Sequence, residues 1–149
     1  MRVYLPAVAA DLTEELRPAL VHAVTPAVRA EFPGEDEETL ELIAFLAAAD
    51  DSVRLIAERS APPRRVVLAA DVPDARLTPG GEDELATVLV PDGPVPWDSV
   101  VSIHVDGPDA AARVTAAAAG DAEALDALGE EDLLWFDVTD RDAVVAQLA

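Results

Sequence analysis

Strand-like runs of β-branched and apolar residues occur at five places in the chain, and helix-like spacings fill the intervals between them. "RVYL" at 2 to 5 alternates as a short strand does, and Pro6 predicts its end because proline gives up a ladder donor. "RRVVLAAD" at 64 to 71 is the clearest strand, "LATVLVP" at 85 to 91 and "SVVSIHVD" at 99 to 106 follow, and "DLLWFDV" is the last. The link "PDGPVPW" is too short for a crossover helix, which predicts that the strands it joins are antiparallel neighbours.

Between the first two strands, leucines at 12, 16 and 20 predict a short amphipathic helix capped by Asp11. In "HAVTPAVRAEF" (22 to 32), Thr25 and Pro26 form a helix-start signal, and Val24, Val28 and Phe32 mark a stripe that should be buried. Apolar positions 42, 46, 49, 53 and 56 step by four and three, predicting one long helix from about Glu35 to Arg59. The acidic run "FPGEDEETLEL" then falls on its first turn, where free N–H groups and the positive end of the helix dipole favour carboxylates. Further helices are expected over 108 to 120, stopped by Gly120, over "DAEALDAL", and at the C-terminus. The order predicts an α+β fold. Its expected form is a two-layer, ferredoxin-like sandwich: a mixed, mostly antiparallel sheet of four to five strands with helices on one face. At 149 residues the chain is expected to form one domain, 1–149.

Composition narrows the chemistry. There is no cysteine, and all ten basic residues are arginine. Disulfides, thiolate catalysis, thiolate metal ligation, Schiff bases and a phosphate-loop lysine are therefore excluded. The formal net charge of −20 has the same sign in both parts of the chain and repels phosphate backbones, so no nucleic-acid partner is expected. The apolar run "LIAFLAAA" falls well short of the roughly 20 residues that span a bilayer, and the N-terminus does not read as a signal peptide. The expectation is a cytoplasmic protein with no membrane partner.

No motif for nucleophilic, zinc or nucleotide chemistry stands out, and no catalytic residue or cofactor is assigned. "TPGGEDEL" (78 to 85) has no basic residue to hold a phosphate and reads as a loop. His22 and His104 are the only histidines and lie far apart in sequence. If Val101, Ile103 and Val105 face the core, Ser102 and His104 share the opposite face, with Arg2 and Tyr4 beside them and Trp135 or Phe136 joining from the last strand according to register. Arg2, Tyr4, Ser102, His104 and Trp135 thus define a candidate binding surface on an open sheet face, suited to self-association or to a protein partner. The alternative is a small-molecule-binding or metal-dependent enzyme that uses acids at strand ends, with Asp71, Asp106 and Asp137 as the ligand set. Antiparallel strands would send those ends to opposite edges.

The segments "MRVYLPA", "AVTPAVRAEF", "RRVVLAADVPDA", "VPWDSVVSIHVDGPDA" and "DLLWFD", in this order, resemble a family of small, acidic, high-GC actinobacterial proteins known as a domain of unknown function. The resemblance covers nearly the whole chain. It implies a bacterial, cytoplasmic origin and carries no activity or functional residue with it.

Overall fold

The computed structural model describes all 149 residues. The strands are β1 (Arg2–Ala7), β2 (Val21–His22), β3 (Val66–Asp71), β4 (Leu77–Pro79), β5 (Val88–Pro91), β6 (Val100–Val105) and β7 (Leu134–Asp137). The helices are α1 (Pro26–Glu31), α2 (Glu37–Arg59), α3 (Ala111–Ala118), α4 (Ala122–Leu128) and α5 (Arg141–Leu148). All seven strands join one antiparallel sheet in the order β4-β5-β2-β1-β3-β6-β7. The fold is α+β, as expected, but the sheet has seven strands and not four to five, since β2 and β4 are too short to leave an alternation in the sequence.

The ferredoxin-like arrangement is also replaced. That arrangement needs a strand inserted between the two that flank the long helix, whereas here β1 and β3 pair directly from Arg2 opposite Asp71 to Ala7 opposite Val66. Nor are β5 and β6 neighbours: four inter-strand steps separate them, about 19 Å at the usual spacing. The segment 92–99 covers that distance because extended chain reaches about 26 Å in eight residues. It passes over the sheet with Val95 buried and bridged to Leu16. Shortness of a link limits its reach and does not by itself dictate pairing.

Both faces of the sheet are covered. On one, Val3, Leu5, Val66, Leu68, Ile103 and Val105 pack with Leu12, Leu16, Val95 and Val144 of α5. On the other, Tyr4, Val67 and Ala69 pack against Ala44, Ala48 and Ala49 of α2. The expectation of helices on one face and an open second face is therefore corrected: the face carrying Tyr4 and Ser102 lies under α2. The buried stripe of α2 runs through Leu40, Ala44, Ala48, Ala49, Ser52, Val53 and Ile56, so the expected positions Ala49, Val53 and Ile56 are buried, whereas Leu46 is half-buried and Leu42 is 54% exposed. Alanines let the helix approach the sheet closely, which is why Leu42 and Leu46 do not mark the contact.

Local signals explain the rest. Asp36 caps α2 by accepting from the Thr39 N–H, so the acidic run is a helix start. Thr25 caps α1 through the Val28 N–H, with Pro26 in the first turn. Residues 11–20 do not form the expected helix; they hold a 3-10 turn over 9–13 and then an extended stretch, because Pro18 disfavours helix at the residue before it and supplies no N–H. Leu12 and Leu16 are buried all the same. Pro6 lies inside β1 and does not end it. Tyr4 pairs with His22 of β2, so the nitrogen of Pro6 faces the same side, where the two-residue β2 no longer offers an acceptor.

Candidate functional site

A cleft of about 440 Å³ opens between the first turns of α2 and the sheet, lined by Arg2, Tyr4, Ala69 and His104 below and by Thr39, Leu42 and Phe45 above, with Glu38 and Glu41 at the rim. Its floor follows from strand register. Tyr4 lies opposite Ala69, Ala69 opposite Ser102, and His104 opposite Trp135, so these residues share one face. A β-bulge in β6 between the partners of Ala69 and Ala70 brings Val100 onto the face of Ile103 and turns Val101 toward α2, contrary to the expected core position of Val101.

Of the five residues singled out in the sequence, Arg2, Tyr4 and His104 line this cleft and not an open face, while Ser102 is buried beside His104 and Trp135 lies next to His104 on β7, outside the lining. Phe45 stands edge-on to both Tyr4 (centroids 5.7 Å) and His104 (5.0 Å), joining helix to sheet through three rings. The Ser102 hydroxyl is 2.9 Å from His104 Nε2. Burial, with the Arg2 charge nearby, lowers the His104 pKa to about 4, so the imidazole is neutral at pH 7. Burial raises the Tyr4 pKa, reinforced by Glu41, so the phenol keeps its proton. Arg2 is held by the Asp71 carboxylate at 2.9 Å, and that hydrogen bond holds Asp71 below its usual range. The floor thus presents neutral phenol and imidazole beside the Asp71-paired guanidinium of Arg2, with Glu38 and Glu41 at the rim. Trp135, directly beside His104, is 63% exposed, and Leu134 is 44% exposed on the other side of the same strand.

The spacing 42, 46, 49, 53 and 56 places Leu42 in the core and leaves Glu41 and Phe45 off the buried face, so none of the three is legible in the sequence as cleft lining. His22 is a second departure. It is 1% exposed, with Nδ1 2.7 Å from Thr87 Oγ1 and Nε2 2.5 Å from Asp51 Oδ2. Hydroxyl, imidazole and carboxylate stand in the order used to activate a nucleophile. Thr87 is buried too, however, so no substrate reaches its hydroxyl and the chain of bonds ties β2 to α2 and to the residue before β5.

The alternative acidic set does not converge. Asp71 engages Arg2; Asp137 accepts from the Thr139 N–H and hydroxyl; Asp106 is fully buried and accepts from the guanidinium and backbone N–H of Arg65. Because β3 and β6 run antiparallel, Asp71 and Asp106 stand at opposite ends of them, and no three His, Asp or Glu residues are placed to hold a metal ion.

No helix is long and apolar enough to cross a membrane. No match was found among curated proteins, and none among solved structures. Residues 1–145 match the model of a family of unknown function, DUF6912, and the chain belongs to that family.

Proposed function

As a member of a family without an assigned activity, the chain must be read from its own surface, and we propose that it is a non-enzymatic, protein-binding module. Its binding surface is the β7 edge of the sheet with the adjoining cleft, comprising Trp135, His104, Ser102, Tyr4 and Arg2. The observation that carries this reading is Trp135, a large aromatic side chain 63% exposed on the last strand of the sheet, where no further strand pairs with it. An exposed aromatic with an apolar neighbour at an unpaired edge suits association. The opposite edge is blunted, since β4 has three residues and ends on Pro79.

The test is a photo-crosslinking amino acid at position 135, expressed in the organism that carries the gene, beside a control at exposed Arg17 in the loop before β2. A discrete crosslinked species from position 135 and none from 17 is expected. Equal or no crosslinking from 135 would contradict the reading. A second reading, a small-molecule site, is favoured by the cleft itself, whose volume lies within the range of roughly 300–1,000 Å³ typical of ligand pockets. On that reading, binding would resist Trp135→Ala and be lost in Phe45→Ala.

A further inference from the structure

We infer that the occupant of the β7 edge is a basic extended segment of another protein, added as an eighth antiparallel strand, with Arg or Lys on the side of Trp135 and aliphatic residues on the side of Leu134 and Phe136. This rests on the protein-binding reading above and names the class of partner.

Three observations carry it. The first is the edge: β7 pairs with β6 through Leu134 opposite Val105, Trp135 opposite His104, Phe136 opposite Ile103 and Asp137 opposite Ser102, and no strand lies beyond it. Alternate backbone N–H and C=O groups on its outer side point away from the sheet, which is the template that strand addition uses.

The second is the division between its two faces. Trp135 and Asp137 project on the α2 side, Leu134 and Phe136 on the other, where Phe136 packs against the core that includes Ile103. A cationic side chain in the added strand would lie across the indole and reach the Asp137 carboxylate, while an aliphatic one would extend the apolar surface of Leu134 and Phe136.

The third is charge. The apolar run is enclosed by acids in "EEDLLWFDVTD", and none of Glu130, Asp132, Asp137 and Asp140 takes part in an ion pair. The same charge argues against a second copy. An antiparallel pairing of two β7 strands that keeps Trp135 on its face sets either Trp135 opposite Trp135 or Phe136 opposite Phe136. Either register sets the acidic flank before β7 in one copy (Glu130, Asp132) near the acidic flank after it in the other (Asp140, in the 3-10 turn Val138–Asp140), twice by symmetry. Like charges facing across strands are destabilising, and the net charge of −20 on each copy adds to the repulsion. A basic segment reverses the sign of both terms.

The experiment titrates the intact chain with three synthetic seven-residue peptides. One alternates Arg and Val, one alternates Glu and Val, and one repeats the Arg–Val sequence with two adjacent central nitrogens methylated, which blocks both hydrogen-bonding edges. Tryptophan fluorescence is the readout, and Trp135→Phe removes the reporting indole. The Arg–Val peptide should shift the emission to the blue in the parent and not in Trp135→Phe. Methylation should weaken binding at least tenfold, and the Glu–Val peptide should not bind. Undiminished binding of the methylated peptide would reduce the contact to diffuse charge attraction and overturn the inference. So would binding of the Glu–Val peptide, or no binding of the Arg–Val peptide. A crosslinked homodimer from position 135 would overturn the inference while leaving the protein-binding reading intact, whereas a peptide that binds without any crosslinked species in cells would do the reverse.

Discussion

At the scale of single residues, the polar groups buried in this sheet account for more of the structure than for any chemistry. Asp106 accepts three hydrogen bonds from Arg65, whose guanidinium also donates to the Leu128 carbonyl. Removing the carboxylate strands a fully buried cation, so Asp106→Ala should lower unfolding free energy by about 3–5 kcal/mol in a denaturant melt. His104 makes a separate, pH-dependent contribution. Its pKa falls from an unfolded value near 6.5 to about 4 in the fold, so the unfolded chain binds the proton first as pH drops. The stability it confers is complete above pH 6.5 and is lost as pH falls toward 4. Between pH 7 and 5 this costs the parent at most about 2 kcal/mol, and His104→Asn should show a smaller loss over the same interval in paired melts. His22 illustrates what local patterns conceal: nothing around residue 22 announces that Thr87 and Asp51, each far along the chain, meet its ring. Ser102 and His104 were easier to pair, because alternation along one strand places them on one face.

At the scale of elements, the signals that are local in physics were readable, and those that depend on neighbours were not. The Thr25-Pro26 start of α1, the acidic first turn of α2 and the Gly120 stop of α3, with φ of +103°, all lie where the residues put them. The face of α2 was readable at Ala49, Val53 and Ile56 but not over its first turns, where Ala44 contacts the sheet and Leu42 overhangs the cleft. The two shortest strands, β2 and β4, exist through their pairing with longer ones and leave no periodicity of their own. Strand order escaped for the same reason, since the link 92–99 spans the sheet and does not turn back. One consequence concerns α1. Val28 is fully buried, so Val28→Asp should cost a few kcal/mol or prevent folding. His22→Ala, which a sequence view would treat as mild, should cost about 2–4 kcal/mol by leaving Asp51 and Thr87 short of a partner in a small void. Denaturant melts of the two variants beside the parent check both, and a parent-like His22→Ala would show that the buried ring contributes little.

At the scale of the whole molecule, thirty acids against ten arginines set the terms on which the protein meets anything else. Repulsion among them should weaken with salt, so the melting temperature should rise by a few degrees between low and moderate NaCl, measured by scanning calorimetry. A flat response would mean that the charges are too dispersed to interact. The same field opposes phosphate backbones and a second copy, and it underlies the proposal of a basic partner at β7, the four-residue edge strand that carries exposed Leu134 and Trp135. Hydrogen exchange of the chain with and without the alternating Arg–Val peptide tests this most directly, because strand addition must engage particular backbone groups. Protection is expected to rise over 134–137 and to stay unchanged over 77–79, the opposite edge. A gain at β4, or none at β7 while the peptide is bound, would contradict the account.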